Sequence, residues 1–300
     1  MAAAHRQGLS AAGGTDAVGC PLPPSPDLRL EHRLPIVTRW TLYAMGAVEG
    51  QRVRRPRDPV AAWLLRRHPK LMPTFAAPSI LSMLRARSSM VDERVASLVT
   101  SARVDGESLS YWSLGGGFDA RWYRLQPVLE SLDGHYELED PEVMAFKHEV
   151  LATSTFAGHW QGIERTVMQE REWTIPTTNR PVLVVLEGVA VRLGLPGLES
   201  LLQRIRADAP RATVLVDLPG ILQGHGAQQR GAVAVGSARS RWMSAKGTGA
   251  AALGLRTLKR LGWQVQEDVW MSARPELRAP SGMPICSGTE AFRLLTLRAM

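Results

Sequence analysis

Residues 110–125, SYWSLGGGFDARWYRL, decide the fold of this chain. The apolar run 111–114 predicts a buried strand, and a helix-compatible segment follows Asp119. Between the two lie three consecutive glycines, Gly115, Gly116 and Gly117. A strand, a glycine turn and a helix let the backbone approach a ligand closely and aim helix N–H groups at it. Three glycines alone more often mark an ordinary turn, so the interpretation needs a second feature.

That second feature is an acid at the end of the next strand. About 20 residues further on, where a Rossmann-type fold places the acid that binds a ribose, a strand-like run covers residues 135–138 and ends at Glu139 and Asp140. Either carboxylate can accept hydrogen bonds from both ribose hydroxyls. Glu139 is the favoured acid and Asp140 is the competing one.

The chain after the glycine turn alternates between strands and helices. Strands are predicted at 181–186, 213–217, 263–271 and 291–297. Helices are predicted at 126–132, 142–151, 198–207 and 250–261. Such alternation predicts an α/β fold with a parallel sheet and helices on both faces. Residues 33–103 have helical spacing, and Asp58-Pro59 is typical of a helix start.

Four sequence blocks resemble those of the leucine carboxyl methyltransferase family, S-adenosylmethionine-dependent O-methyltransferases. SLGGGFDARWYRL and YELEDPEVMAFKHEVL are the central pair. RSSMVD at 87–92 is similar to the family's R-T-x-x-[IL]-D, and RPVLVVLEG at 180–188 is similar to its R-P-x-L-x-[VL]-x-E-G. Because the four blocks keep their order over roughly 38–217, together they form a specific signal.

The resemblance implies a doubly wound, mostly parallel seven-stranded methyltransferase sheet. Its last two strands form a pair, one of them antiparallel. Residues 31–108 are then a helical cap over the cofactor site, and 109–300 are the Rossmann-like core. Residues 1–30 are rich in glycine, alanine and proline, and we expect a disordered tail there because this composition cannot support a core.

The resemblance also implies which residues hold S-adenosylmethionine. The glycines 115–117 let the backbone approach its amino-acid end and its ribose, and Glu139 accepts from the ribose hydroxyls. Asp119 either accepts from the cofactor's ammonium group or supports the glycine loop. Arg121 orients that loop.

Three more charged residues belong to the expected site. Arg87 matches the family's arginine that pairs with the cofactor carboxylate, and the alternative is a solvated helix face. Glu187 ends a buried strand and needs a partner, because burying a lone carboxylate is costly; the family places it against the cofactor or substrate pocket, and capping of the next helix is the alternative. Arg192 replaces the family's tyrosine, and it either binds an acidic substrate or lies in solvent.

Two parts of the chemistry stay open at this point. Val167-Met168 stands where the family commonly has the Asp-Leu whose aspartate accepts from the adenine amino group, so the adenine contact is unassigned. His159 or His225 could serve as a base. Alignment alone can carry transfer from a reactive sulfonium, so no general base is assigned.

Composition limits the class of protein. The 300 residues are 45% apolar and carry a net charge of +8. The basic residues are scattered, which makes a nucleic-acid partner a minor expectation. Two cysteines without metal spacing and the lack of a long apolar run predict no metal, no membrane span and a cytoplasmic location. The expected partner is a small-molecule acceptor methylated on a carboxylate or hydroxyl. The alternatives are a non-catalytic methyltransferase-fold binding protein and a protein or nucleic-acid methyltransferase.

Overall fold

A computed structural model describes seven parts of the chain: residues 36–46, 58–71, 78–152, 161–164, 180–219, 255–271 and 292–300. The expected tail at 1–30 lies outside the described residues. So do Val167, His159 and His225, on which the adenine contact and the candidate bases depended.

In the described parts of the chain, seven strands form one sheet in the order β3-β2-β1-β4-β5-β7-β6. They are β1 (Ser110–Leu114), β2 (Gly134–Glu139), β3 (Gln161–Glu164), β4 (Val182–Leu186), β5 (Ala212–Pro219), β6 (Trp263–Trp270) and β7 (Phe292–Ala299). The pairs among β1 to β5 are parallel, whereas β7 runs antiparallel to both β5 and β6. The prediction of a mostly parallel seven-stranded methyltransferase sheet with one antiparallel strand at its end is confirmed.

Burial along the strands explains why this sequence forms a sheet covered on both faces. Every residue of β4, VLVVL, is buried, as expected for a central strand with helices on both sides. In β6 buried and half-buried positions alternate with exposed ones, which suits a strand at the sheet edge.

The helices precede and connect these strands. They are α1 (Ile36–Gly46), α2 (Pro59–Arg67), α3 (Pro78–Val104), α4 (Arg121–Arg124), α5 (Gln126–Leu129), α6 (Pro141–Ala152), α7 (Val189–Asp208) and α8 (Leu255–Arg260), with a 3₁₀ turn at Pro69–Leu71. The predicted start of α2 is confirmed, because the Asp58 side chain accepts from Ala61 N at 2.8 Å and Pro59 lies in the first turn.

Two of the predicted helices have different limits in the structure. A helix is present at the predicted 126–132 but ends at Leu129, and a second short helix, α4, precedes it after the glycine turn. Helix α7 begins at Val189 rather than at 198, with non-helical backbone at Gly194 (φ 65°, ψ −179°). From the sequence, the GLPG stretch around Gly194 resembles a helix end. In the structure the backbone turns at Gly194 and the helix then resumes.

Apolar clusters fill the spaces between these elements in the described residues, and the three largest position the site. One lies between the sheet and helices α7 and α8, and another lies between the opposite face and α3. The third joins α1 and α2 to α6 and to Phe118 and Ala120, which directly follow the glycine turn. The N-terminal helices therefore pack against the segment that carries the glycines. No helix in the described ranges is both long enough and apolar enough to cross a membrane.

Candidate functional site at the carboxyl edge of the sheet

Strands β1, β2, β4 and β5 are parallel, so their carboxyl ends meet at one edge of the sheet. The strand order reverses between β1 and β4. In open α/β sheets, ligands bind outside the carboxyl ends of the strands at such a switch point. Strands β1, β2 and β4 end at or next to Gly115, Glu139 and Glu187, and Asp217 lies two residues before the end of β5.

The glycine turn has a backbone that other residues rarely adopt. Gly115 and Gly117 have φ values of 66° and 65°, which glycine tolerates because it has no Cβ. A Cβ on Gly116 would lie 2.7 Å from Ser113 Oγ. Gly115 N donates to Leu138 O at 2.7 Å. The turn is thereby held against the end of β2.

Glu139 points to this turn and Asp140 does not. Gly117 N donates to Glu139 Oε2, and Asp140 N donates to Glu139 Oε1 at 2.9 Å. Asp140 Oδ1 instead accepts from Glu142 N at 3.1 Å, at the start of α6. Of the two acids that the sequence left open, Glu139 is the one beside the glycines.

Arg121 is the centre of a buried ion network rather than only a support for the loop. Its side chain is 1% exposed. Its Nε donates to Asp92 Oδ1 at 2.6 Å, and its Nη2 donates to Glu187 Oε2 at 2.6 Å. Its Nη1 donates to Asp119 Oδ2 at 2.5 Å and to the Tyr111 hydroxyl at 3.1 Å. Arg121 thus ties α3, the glycine turn and the end of β4 together.

Arg124 extends the network, and sequence reasoning assigned it no role. It donates to Asp92 Oδ2 at 2.8 Å, to Asp119 Oδ1 at 3.0 Å and to Asp58 Oδ2 at 2.5 Å. The Asp58 carboxylate therefore has two roles: it caps the N-terminus of α2, and it forms an ion pair with Arg124. The signal in the sequence was the spacing of Arg121 and Arg124, which puts both side chains on one face of a helical turn.

Arg87 and Glu187 meet at the end of β4. Arg87 Nε donates to Glu187 Oε1 at 3.1 Å, and Ser88 Oγ donates to the same oxygen at 2.6 Å. Arg87 is 5% exposed, so it does not lie on a solvated helix face. Its buried Nη1 has no hydrogen-bond partner among the described residues.

Asp217 lies near the carboxyl end of the neighbouring strand β5, two residues before Pro219, and is a residue that sequence reasoning missed. It is buried, and its Oδ1 accepts from Gly188 N at 2.6 Å. Its Oδ2 lies 3.7 Å from Arg87 Nη1, with no hydrogen bond to the described part of the chain. The sequence did contain a signal for this residue, because an aspartate closes the strand-like run TVLVD.

The network holds more carboxylates than guanidinium groups. The cations are Arg87, Arg121 and Arg124, and the carboxylates are Asp58, Asp92, Asp119, Glu187 and Asp217. Burial would raise the pKa of Asp119, but Arg121 and Arg124 outweigh it and lower that pKa from 3.8 to about 2. Burial raises the pKa of Asp58 and Asp217, because fewer cations face them.

Lys147 holds the glycine segment from the side of α6. Its Nζ donates to Glu137 Oε2 and to Asp119 O, each at 2.6 Å, and the residue is 1% exposed. It stands in the block that resembles the family's pattern. Within the described ranges, no group of three His, Cys, Asp or Glu side chains is placed to hold a metal ion.

Arg192 lies in the first turns of α7, and its side chain reaches back to the glycine turn. Its Nη1 is 3.6 Å from Glu139 Oε1, and its Nη2 is 3.5 Å from Gly115 O. The side chain is 42% exposed. Its contacts among the described residues are thus with the two groups expected to hold the cofactor, and its role toward an acceptor stays a prediction.

Solved structures share this architecture. A protein of Thermobifida fusca described as a candidate methyltransferase is 15% identical, with 91% of this chain and 98% of that chain aligned and a TM-score of 0.58. A DUF574 family protein of Streptomyces avermitilis is 14% identical, with 91% and 100% coverage and a TM-score of 0.51. The mitomycin 7-O-methyltransferase MmcR is a longer protein: the chain spans 60% of its length, at 16% identity and a TM-score of 0.41. The likeness to the first two of these structures shows the fold.

The family follows from the sequence match. No curated protein matches the chain with significant similarity. The family model for leucine carboxyl methyltransferase matches residues 45–206, which is more than half of the chain. The matched part contains the glycine turn, Glu139, Glu187 and the two residues of the ion network on α3, Arg87 and Asp92. The chain belongs to the leucine carboxyl methyltransferase family of S-adenosylmethionine-dependent methyltransferases.

Proposed function

We propose that this chain is an O-methyltransferase that transfers the methyl group of S-adenosylmethionine to a small-molecule acceptor. The observation that carries the proposal is the contact of Gly117 N with Glu139 at the switch point of the sheet. There a backbone that can approach a ligand lies beside a carboxylate suited to ribose hydroxyls.

The residues at this edge fit the cofactor. A carboxylate has about four acceptor positions, so Glu139 can accept from ribose hydroxyls in addition to its two backbone donors. Arg87 Nη1 is a buried donor without a hydrogen bond to the described residues, and it suits the cofactor's carboxylate. When bound, S-adenosylmethionine supplies a methyl group made reactive by its positively charged sulfur.

The charge of the site also suits this ligand. With all five carboxylates ionised, the network has 5 negative and 3 positive groups, an excess of two negative charges. S-adenosylmethionine carries a sulfonium and an ammonium group against one carboxylate. A buried excess of one sign favours a ligand of the other sign, because buried charges are weakly screened.

The pairing of two arginines near the surface favours a small-molecule acceptor over a nucleic acid. Arg94 pairs with Glu267 at 2.8 Å, and Arg211 pairs with Glu107 at 2.8 Å. Arginines engaged in this way add less to a positive surface than free ones would. A phosphate backbone is bound mainly through such a surface.

A methyl-transfer assay with labelled S-adenosylmethionine tests the proposal. The full chain is incubated separately with small carboxylic acids, small hydroxyl compounds, peptides with a free C-terminal carboxylate, and RNA. We expect label in a small acid or hydroxyl compound. Label only in peptide or RNA would contradict the small-molecule acceptor. Binding of the cofactor without any transfer would favour the non-catalytic alternative.

A further inference from the structure

Arg192 differs from the other arginines at the carboxyl edge of the sheet because its side chain is half-exposed and loosely held. The three arginines of the ion network are buried, and each donates to a carboxylate at 3.1 Å or less. The nitrogens of Arg192 lie 3.6 Å from Glu139 Oε1 and 3.5 Å from Gly115 O. Both distances exceed those of a well-formed N–H···O hydrogen bond, so little holds Arg192 in this position.

Glu139 does not depend on Arg192 for its orientation. Its Oε2 accepts from Gly117 N, and its Oε1 accepts from Asp140 N at 2.9 Å. The first donor belongs to the glycine turn, and the second directly follows β2. The carboxylate therefore stays in place when Arg192 moves.

Arg192 and the ribose hydroxyls compete for the same positions on Glu139. An ionised carboxylate offers about four acceptor positions, and the backbone donors Gly117 N and Asp140 N already use two of them. The two hydroxyls of a bound ribose would use the others. No position is then left for Arg192, so cofactor binding and the Arg192–Glu139 contact exclude each other.

Arg192 has no second anion to turn to within the described ranges. There its side chain forms one ion pair, with Glu139, and one hydrogen bond, to Gly115 O. Its backbone lies in the first turn of α7, which begins after Gly188, so the guanidinium remains near the carboxyl edge when it leaves Glu139. The cofactor-loaded protein therefore presents an unpaired cation beside the site.

We propose that Arg192 exchanges Glu139 for a carboxylate of the acceptor when S-adenosylmethionine binds. Arg192 thereby selects an acceptor that carries an acid group, and it favours binding of the acceptor after the cofactor. This inference rests on the proposed function and deepens it. It assigns the group that anchors the acceptor, whichever oxygen of the acceptor receives the methyl group.

A carboxylate is the anion that best fits this position. The planar guanidinium presents its donors as a fork, which matches a carboxylate with two parallel hydrogen bonds. The same fork binds phosphate, but a phosphate monoester carries a charge of about −1.5 to −2 at pH 7. Glu139 and Asp140 are close to Arg192 and repel that extra charge, so a singly charged carboxylate is favoured.

The change of partner couples the two ligands. Cofactor binding frees Arg192 for the carboxylate, and a carboxylate that draws Arg192 away from Glu139 leaves room for the ribose. Each ligand should then raise the affinity of the other by the same factor, because coupling between two sites is reciprocal. A half-exposed ion pair is weak, so we expect a factor of about two to five.

Titration calorimetry of S-adenosylhomocysteine into the full chain tests this coupling. Three buffers of equal ionic strength contain sodium benzoate, sodium chloride, or sodium chloride with benzamide. Benzamide has nearly the shape of benzoate and no charge. We expect benzoate to tighten S-adenosylhomocysteine binding by a factor of about two to five relative to chloride, and benzamide to leave it unchanged.

Three variants assign the effect to Arg192, after thermal denaturation has shown that each is folded. Arg192→Gln keeps a polar side chain without the charge and should abolish the benzoate effect. Arg192→Lys keeps the charge without the fork and should retain part of it. Arg204→Gln is the matched control, because Arg204 pairs with Asp208 on the same helix at the same separation of 3.6 Å, and it should respond like the wild type.

The outcomes separate this inference from the proposed function. If S-adenosylhomocysteine binds but benzoate has no effect, or no more effect than benzamide, the proposal is overturned and the proposed function stands. A benzoate effect that persists in Arg192→Gln also overturns it, because the carboxylate is then bound elsewhere. A larger effect of phenyl phosphate, tested in the same way, would overturn the choice of a carboxylate. If the wild type binds no S-adenosylhomocysteine in any buffer, the proposed function fails and this inference fails with it.

Discussion

At the residue scale, His135 shows how burial and packing set the chemistry of one side chain. It stacks on Trp122 with ring centroids 5.0 Å apart and meets the edge of Tyr111 at 4.9 Å. Burial, followed by the charge of Lys147, lowers its pKa from 6.5 to about 3. The folded protein therefore keeps this histidine neutral at pH values where the unfolded chain protonates it.

This lowered pKa predicts a loss of stability in acid. Because the unfolded chain binds a proton near pH 6.5 and the folded chain does not, the free energy of unfolding should decrease as the pH falls from 6.5 toward 3. His135→Phe keeps an aromatic ring and removes the titration. Between pH 7 and pH 5, we expect the wild type to lose about 2 kcal/mol more than His135→Phe. Urea denaturation at both pH values measures this, and equal losses would contradict it.

Arg192 yields a second prediction at this scale. Its guanidinium lies beside both Gly115 O and Glu139, where the ribose is expected, so cofactor binding should displace it. A half-exposed ion pair is worth about 0–1 kcal/mol, and Arg192→Ala should therefore tighten S-adenosylhomocysteine binding by a factor of up to about 5.

The control for this variant lies on the same helix. Arg204 pairs with Asp208 at 3.6 Å, the same separation as in the Arg192–Glu139 pair, so Arg204→Ala removes a comparable ion pair away from the site and should leave affinity unchanged. Weaker cofactor binding in Arg192→Ala would contradict the displacement. If Arg192→Ala leaves cofactor affinity unchanged but raises the KM for an acidic acceptor, Arg192 binds the acceptor, which is one of the two roles predicted from the sequence.

At the element scale, helix α3 is joined to the sheet edge by charged groups rather than by apolar contacts alone. Asp92 on α3 receives hydrogen bonds from both Arg121 and Arg124. Arg87 on the same helix pairs with Glu187 at the end of β4. The position of α3 therefore depends on buried ion pairs, each of which is costly to break from one side.

Removal of the Asp92 charge should test that dependence. Asp92→Asn leaves Arg121 and Arg124 with one carboxylate fewer, and breaking a buried pair costs about 3–5 kcal/mol. Glu93→Gln changes the exposed neighbouring carboxylate on the same helix and should alter stability by less than about 0.5 kcal/mol. Chemical denaturation of both variants gives the comparison, and equal small effects would show that the network contributes little to stability.

The elements that could be predicted are those whose signal is local. The VLVVL strand and the Asp58-Pro59 start of α2 follow from burial and capping preferences. The first part of α7 was missed because Gly194 and Pro196 resemble a helix end, and only the fold shows that the helix resumes. Arg124 and Asp58 are 66 residues apart in sequence, so no local pattern could pair them.

At the scale of the whole molecule, the site exists because four parallel strands end at one edge. The glycines and Glu139 could be placed there from sequence, since their spacing reflects two consecutive strands. Asp217 could not, because its place in the site requires the order of β4, β5 and β7 in the sheet and the packing of α3 against them.

The central claim is that the glycine turn and Glu139 hold S-adenosylmethionine, and titration calorimetry of S-adenosylhomocysteine into the full chain tests it most directly. Gly117→Val is compared with Gly106→Val, since both glycines have positive φ, 65° and 68°, but a Cβ on Gly106 would meet nothing within 4 Å. The backbone strain is thus similar and only one substitution lies at the site. We predict one cofactor molecule bound per chain in the wild type and in Gly106→Val, and none in Gly117→Val. No binding by the wild type, or wild-type affinity in Gly117→Val, would contradict the claim.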